Sequence, residues 1–147
     1  MKSKKLKIFV IGDTHDSPHI PDKSRFGWFA KHISKTKPDA IVHIGDFVTL
    51  DSCTHYIKDD TYTARIEKPY FTQEIRSLEG ALEEFDYWHK YKKIPKYITF
   101  GNHERRLWRY EDKNPSFYGL GQKELLGSFA KYKWKVIPYG TYLMLGG

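Results

Sequence analysis

Three short segments of the sequence place side chains able to bind metal ions directly after an apolar run. They are IFVIGDTHD at 8–16, AIVHIGDF at 40–47 and YITFGNHE at 97–104. In each segment a glycine ends the run, and the polar residues that follow include Asp13, His15, Asp46, Asn102 and His103. Carboxylate, imidazole and amide donors of this kind suit Zn, Mn, Fe and similar divalent ions. The three segments therefore carry the side chains of a metal centre.

The spacing of these residues would allow one ion or two. Asp13 and His15 are two residues apart, so in an extended segment they would share a side and could hold one ion. Asp46, on another strand, could bridge to a second ion. Two ions about 3.5–4 Å apart activate a water and stabilise both oxygens of an in-line displacement at phosphorus. Glycines at 12, 45 and 101 would let the backbone turn sharply and approach the ions closely.

The elements around these segments alternate between strands and helices. Apolar, β-branched runs predict strands over 6–11, 40–44 and 96–100. Apolar residues at helical spacing predict helices from Ser24 to Pro38 and from Pro69 to Pro95. A short helix is expected after the third strand, ending at Asn114-Pro115, and a weaker helix over 123–132 that Gly127 interrupts. A long polar connection is expected over 47–68, and a strand, a turn and the start of another strand over 135–147.

This order predicts that the three polar segments meet. Strand–helix–strand units in one sheet make the strands parallel, so all three segments reach the same edge. Ligands of open α/β sheets bind outside the carboxyl ends of the strands. One site built from segments distant in the sequence is the expected result.

Composition indicates one folded domain. The 147 residues include 39% hydrophobic and 16% aromatic residues, and the one cysteine, Cys53, excludes an intramolecular disulfide. No apolar run approaches the roughly 20 residues needed to span a bilayer, so we expect a cytoplasmic protein without membrane association. The net charge of +7 is compatible with a polyanionic partner such as nucleic acid, although no compact basic motif stands out.

The motifs GDTH, GDF and GNHE resemble, in order and in strand context, the first three signature blocks of the calcineurin-like metallophosphoesterases, particularly bacterial and phage-type members. The resemblance covers roughly residues 6–110. It implies an α/β fold in which a β-sandwich is flanked by helices (αββα). It also implies hydrolysis of phosphate mono- or diesters by a dinuclear metal centre and a metal-bound hydroxide. The two ions would be Mn, Fe, Zn or Ni, with Mn the best suited to support activity.

The resemblance also assigns roles to individual residues. Asp13 and His15 would bind the first metal ion, and Asp46 would bridge. Asn102 would bind the second ion and the phosphate, and His103 would act near the leaving group as proton donor or transition-state stabiliser. Three neighbours of these motifs are candidates for substrate binding: Arg105 and Arg106, which could clamp a phosphate, and Asp16, which stands where many family members have glycine.

Two departures from the family pattern limit what the resemblance implies. The histidines are at 15, 19, 32, 43, 55, 89 and 103, so the family's later single-histidine and Gly-His-x-His blocks are missing. We therefore expect residues 1–147 to be a single domain truncated at its C-terminus, with an incomplete second sheet. The segment GDFVTLDS also lacks the Asp and Arg of the protein Ser/Thr phosphatases, which argues against a dedicated protein Ser/Thr phosphatase. The missing histidines leave one alternative open, a catalytically inactive module of the same fold that binds phosphate or nucleic acid.

Other interpretations of the polar residues are less favourable. A dinucleotide-binding fold needs a G-x-G-x-x-G turn after the first strand, and IGDTHD is not one. His43 lies within the second predicted strand and is expected to be a packed core residue. Asp51, Cys53 and His55 alternate in a way that could mimic a metal site, but the segment offers no ordered motif.

Overall fold

A computed structural model describes residues 5–56 and 61–146. The strands are β1 (Ile8–Ile11), β2 (Ala40–His43), β3 (Lys96–Thr99) and β4 (Trp134–Ile137). The helices are α1 (Ser24–Thr36), α2 (Tyr62–Glu67), α3 (Phe71–Trp88), α4 (Asn102–Asp112) and α5 (Leu120–Lys131), with 3₁₀ turns at Asp51–Cys53 and Pro115–Phe117. The strands form one parallel sheet in the order β1-β2-β3-β4. The α/β class and the parallel arrangement predicted from the sequence are confirmed.

The order of the strands explains where the helices pack. Sequential parallel strands joined by crossovers of one hand place their helices on one face of the sheet. Here α1 packs on α3 and α3 packs on α5. The helices bury Phe26, Phe85 and Phe129 against sheet residues such as Ile41 and Ile98, and each of these side chains is at most 1% exposed. This face of the sheet is the hydrophobic core.

The opposite face of the sheet is open to solvent at its β1 edge. Ile8 and Val10 are 40% and 56% exposed, whereas Ile11, on the other face of β1, is 4% exposed. In the described ranges 5–56 and 61–146 the structure has one sheet, so a second sheet of the expected sandwich does not occur within them. The predicted final strand has no pairing partner there, and the chain brings Gly146 beside Leu6.

Three helices differ from the sequence prediction. The connection predicted over 47–68 contains α2, which begins where the Thr61 side chain accepts a hydrogen bond from the Ala64 amide, 3.2 Å away; residues 57–60 of that connection lie outside the described residues. The helix α3 ends at Trp88 rather than near Pro95. Gly127 does not interrupt α5, because Leu125 and Phe129 on either side of it are fully buried and hold the helix to the core.

Among the described residues, no helix combines the length and hydrophobicity needed to cross a membrane.

Candidate metal centre

The loops that follow β1 and β2 continue side by side beyond the ends of the strands. The His15 amide donates to the Asp46 carbonyl (3.0 Å), and the Asp16 amide donates to the Phe47 carbonyl (2.6 Å). His15 and Asp46 both adopt left-handed backbone conformations, with φ of 46° and 50°. Such conformations are uncommon outside glycine, cost on the order of 1–3 kcal/mol, and cluster at functional sites. The backbone therefore holds these two residues in strained, neighbouring positions.

Three predicted site residues come together at this edge. His15, Asp46 and His103 each offer a ligand atom, and these atoms all lie within 4.8 Å of one another. The rings of His15 and His103 meet edge to face with centroids 4.6 Å apart. The His103 amide also donates a 2.9 Å hydrogen bond to Asp46 Oδ1. All three side chains are half-buried, so an ion could reach them from solvent.

Two further predicted ligands lie at the rim of this group. Asp13 Oδ2 is 3.9 Å from His15 Nε2, and the Asp13 side chain is 55% exposed. Asn102 is the first residue of α4, next to His103, and is exposed. Two imidazoles, two carboxylates and an amide form a donor set that divalent transition metals accept.

Hydrogen bonding determines which nitrogen of His103 is available. His103 Nδ1 lies 2.9 Å from the Thr49 carbonyl oxygen, which can only accept, so Nδ1 carries the proton. Nε2 lies 3.3 Å from Arg106 Nη2, which can only donate. His103 Nε2 is therefore an acceptor in this arrangement and is the nitrogen able to take a metal ion or a proton.

The carboxylate of Glu104 holds the loop that carries Asp46. It accepts hydrogen bonds from the amides of Asp46 (3.0 Å), Phe47 (2.7 Å), Val48 (3.3 Å) and Gly101 (2.8 Å). Glu104 is 0% exposed. Burial raises the pKa of its carboxyl above the ordinary value, while the backbone donors oppose that rise. The sequence analysis missed this role, although Glu104 is the last residue of the third motif.

A second buried carboxylate holds the next part of the same loop. Glu74 in α3 accepts hydrogen bonds from the amides of Asp51 (2.6 Å) and Ser52 (3.3 Å) and from the Ser52 hydroxyl. Burial raises the pKa of Glu74. Its position gave a signal that the sequence analysis did not use, because an acid three residues after Phe71 and four before Leu78 falls on the apolar stripe of the helix.

Glycine is required at two of the three motif positions. Gly45 has φ of 104°, and a Cβ there would lie 2.8 Å from the Gly101 nitrogen and the Thr99 carbonyl oxygen. A Cβ on Gly101 would overlap Asp46 Oδ1. A Cβ on Gly12 would meet nothing within 4 Å. The expectation of close backbone approach therefore applies to Gly45 and Gly101 but not to Gly12.

The two arginines predicted to bind phosphate have different surroundings. Arg106 donates to the Thr49 carbonyl (2.9 Å) and to Asp51 Oδ1 (3.3 Å), and it is the arginine that contacts His103. Arg105 lies over the ring of Tyr139, with its guanidinium carbon 4.6 Å from the ring centroid, and is exposed. Arg106 therefore contacts one of the candidate ligands, His103, whereas the guanidinium of Arg105 packs on the ring of Tyr139.

The structure does not place Asp16 where a substrate could contact it. Its carboxylate is fully buried, accepts hydrogen bonds from Lys23 Nζ (2.6 Å) and Ser77 Oγ (2.7 Å), and lies 3.3 Å from Arg25 Nη2. These three partners join the loop after β1 to α1 and α3. The substrate-binding expectation for Asp16 is therefore replaced by a structural role, because the side chain faces inward.

Two other polar residues also have structural surroundings. His43 is 1% exposed, which confirms the prediction of a core histidine. Its Nδ1 accepts from the Gly45 amide (3.2 Å) and its Nε2 lies 3.0 Å from Thr14 Oγ1. Burial lowers the pKa of His43 to about 3, so the ring is neutral. Burial raises the pKa of the Cys53 thiol to about 11, which makes it a poor metal ligand at neutral pH.

The chain matches a known protein family over nearly its whole length. A family model described as calcineurin-like phosphoesterase matches residues 6–147. Neither a curated protein nor a solved structure matches the chain. The matched range contains all three motifs and every residue of the candidate metal centre.

Proposed function

We propose that this chain, which belongs to the calcineurin-like phosphoesterase family, hydrolyses phosphate mono- or diesters at a centre of two divalent metal ions. The observation that carries the proposal is the convergence of His15, Asp46 and His103 from three separate segments onto one point. The topology brings the three segments to one edge of the sheet, and the imidazole and carboxylate atoms there lie close enough together to share a metal ion. The strained backbone of His15 and Asp46 also supports a functional role for this edge of the sheet.

The donor set is suited to the proposed ions. Asp13 and His15 would bind the first ion, Asp46 would bridge, and Asn102 would bind the second. We propose Mn as the ion that best supports activity, with Fe, Zn and Ni as acceptable substitutes. When bound, the two ions would supply an activated water and charge stabilisation for the phosphate oxygens.

The protein's own residues would orient the ester and assist the departure of its alcohol. In the overall reaction water adds to phosphorus, the bond from phosphorus to the leaving oxygen breaks, and that oxygen gains a proton. His103 Nε2, once protonated, would donate this proton. Asn102 would donate a hydrogen bond to a phosphate oxygen, and Arg106 would stabilise the negative charge beside His103. The exposed guanidinium of Arg105 is a further candidate for phosphate binding.

A second candidate function is a module that binds phosphate or nucleic acid without hydrolysing it. The specific observation that favours it is the position of Arg106, whose guanidinium donates toward His103 Nε2 and occupies the nitrogen that the reaction needs. The net charge of +7 is also compatible with a polyanionic ligand.

The test compares the wild-type chain with the Asp46→Asn variant after treatment with EDTA. Hydrolysis of p-nitrophenyl phosphate and of bis-p-nitrophenyl phosphate is measured with added Mn²⁺, Fe²⁺, Zn²⁺ or Ni²⁺, and Mn²⁺ binding is measured by calorimetry. We expect metal-dependent hydrolysis that Asp46→Asn lowers on the order of 100-fold or more. Asp112→Asn, an exposed acid at the end of α4, is the matched control and should retain activity.

The two functions give different results in this experiment. Hydrolysis that survives Asp46→Asn would contradict the proposed centre. Phosphate binding without hydrolysis under any of the four metals would favour the binding module.

A further inference from the structure

A cavity of about 860 Å³ lies on the surface formed by α3, α4 and the segment between α4 and α5. Four aromatic rings line it: Tyr70, Phe71, Tyr110 and Phe117. Tyr70, Tyr110 and Phe117 are 77%, 41% and 64% exposed. We call this the aromatic cavity. Rings left so exposed within one concavity have faces available to a ligand.

Three residues that line the aromatic cavity lie on segments that also carry the candidate metal centre. Pro18 lies three residues after His15, and Leu107 lies one helical turn after His103 in α4. Ser52 follows Asp51, whose carboxylate accepts from Arg106. The segments that carry the ligand group therefore also form a wall of the cavity, and side chains one turn apart on a helix are about 5–6 Å apart.

The charge of the cavity favours an anionic or electron-rich ligand. Lys68 and His19 contribute basic groups to its lining. Among the described residues that line it, the one acid is Glu111, which is 3% exposed and accepts hydrogen bonds from the amides of Gly119 and Gly121 at 2.7 and 2.6 Å. The amide and side chain of Gln122 donate to the same carboxylate. Its negative charge is thus distributed over backbone donors rather than presented to a ligand.

We propose that the aromatic cavity binds the base of a nucleoside phosphate while the phosphate lies at the metal centre. The position of the phosphate rests on the proposed function; the stacking of the base does not. A planar base can stack on the exposed rings of Tyr110 and Phe117, and such stacking accepts any base because every base has a π-face. The volume is within the range that encloses a small organic ligand. The substrate class is thereby narrowed from phosphate esters in general to esters that carry a nucleoside.

The test measures binding of adenosine 5′-monophosphate and of ribose 5-phosphate, which lacks the base. Binding is measured by calorimetry in EDTA and again with Mn²⁺, for wild type, Phe117→Ala and Tyr110→Ala. We expect the base to tighten wild-type binding at least fivefold, and each variant to lose about fivefold to 100-fold for the nucleotide with little change for ribose 5-phosphate. Tyr118→Ala, 57% exposed but outside the cavity lining, is the matched control.

The outcomes separate this inference from the proposed function. Equal affinity for adenosine 5′-monophosphate and ribose 5-phosphate would contradict base binding in the aromatic cavity. Nucleotide binding that Phe117→Ala and Tyr110→Ala both leave unchanged would also contradict it. Base-dependent binding without metal-dependent hydrolysis would preserve this inference and remove the proposed function. Metal-dependent hydrolysis of p-nitrophenyl phosphate, together with equal binding of adenosine 5′-monophosphate and ribose 5-phosphate, would support the proposed function and remove this inference.

A second comparison identifies the source of the nucleoside phosphate. The probe is a 5′-phosphorylated hexanucleotide of the same base. If it binds at least tenfold tighter than the mononucleotide and keeps the dependence on Phe117, the ligand is the end of a strand. Equal affinity of the two probes, with the same dependence, identifies a free nucleotide.

Discussion

The carboxylate of Glu104 accepts a 2.7 Å hydrogen bond from the backbone amide of Phe47, which lies 57 positions earlier in the chain. The same side chain accepts from the amides on either side of Phe47, so one buried acid fixes the backbone on which Asp46 is carried. The helix that presents His103 and the loop that presents Asp46 are thereby locked to each other. Alignment of the candidate ligands depends on a residue that does not itself belong to the ligand group.

Replacing Glu104 with Gln should loosen this connection. The amide keeps the shape of the side chain but substitutes an NH₂ group for one acceptor oxygen, which leaves buried backbone donors unpaired. We expect a loss of about 1–3 kcal/mol in the free energy of unfolding, measured by urea denaturation. Mn²⁺ affinity should fall by about 10- to 100-fold in calorimetry. Glu83→Gln, at an exposed position of α3, should change neither quantity. A Glu104→Gln variant as stable as wild type would contradict the role of Glu104 in holding the loop that carries Asp46.

Alanine substitutions at Gly101 and Gly12 should show whether the site requires a glycine that packs against Asp46 or tolerates alanine at any motif glycine. A Cβ on Gly101 would overlap Asp46 Oδ1, whereas a Cβ on Gly12 meets open space. We expect Gly101→Ala to abolish measurable Mn²⁺ binding and to lower the unfolding free energy by about 1–3 kcal/mol, since overpacking has about this cost. Gly12→Ala should leave both within error. Equal behaviour of the two variants would show that the contact between Gly101 and Asp46 relaxes easily.

The sequence was sufficient to predict the convergence of the candidate ligands, and the reason is topological. Parallel strands that end in polar residues bring those residues to one edge whatever the details of packing. His15 and Asp46 could be identified from this rule and from their type. The partnership of His103 with them was expected only as a catalytic role, because the position of a side chain on the first turn of a helix depends on how the helix is anchored.

The residues that sequence reasoning assigned differently are those whose role depends on the direction of a side chain. Asp13 and Asp16 both lie within two residues of His15. The Asp16 side chain is buried and forms an ion pair with Lys23, whereas the Asp13 side chain is exposed. The presence of two cations at the right distance, Lys23 just before α1 and Arg25 within it, could not be inferred from spacing alone. Short helix α2 was missed for a similar reason, since its six residues carry no apolar stripe long enough to show a period.

The buried position of Asp16 predicts that its substitution affects stability rather than substrate affinity. Asp16→Asn removes the buried negative charge that pairs with Lys23 and Arg25, and breaking one side of a buried ion pair costs about 3–5 kcal/mol. We expect a lower urea midpoint but a KM for p-nitrophenyl phosphate within about twofold of wild type. The exposed Asp112→Asn variant should match wild type in both respects. A large rise in KM with unchanged stability would instead restore Asp16 as a substrate contact.

The buried His89 predicts how stability depends on pH. Its ring is 1% exposed, and neither ring nitrogen has a hydrogen-bond partner. Burial, reinforced by Lys96 and Lys92 and partly opposed by Asp86, lowers the pKa of His89 from 6.5 to about 4. Below pH 6.5 the unfolded chain therefore binds a proton that the folded chain does not. The contribution of His89 to stability is complete above pH 6.5 and is lost as the pH falls toward 4.

Replacing His89 with Phe should remove this part of the pH dependence. We expect the unfolding free energy of wild type to fall between pH 7 and pH 4.5 by about 2–3 kcal/mol more than that of His89→Phe, because each pKa unit corresponds to about 1.4 kcal/mol. Urea titrations at several pH values measure the difference. His32→Phe, the same change at an exposed position of α1, should retain the wild-type slope. Parallel pH profiles for wild type and His89→Phe would show that the folded protein accommodates a proton on this ring.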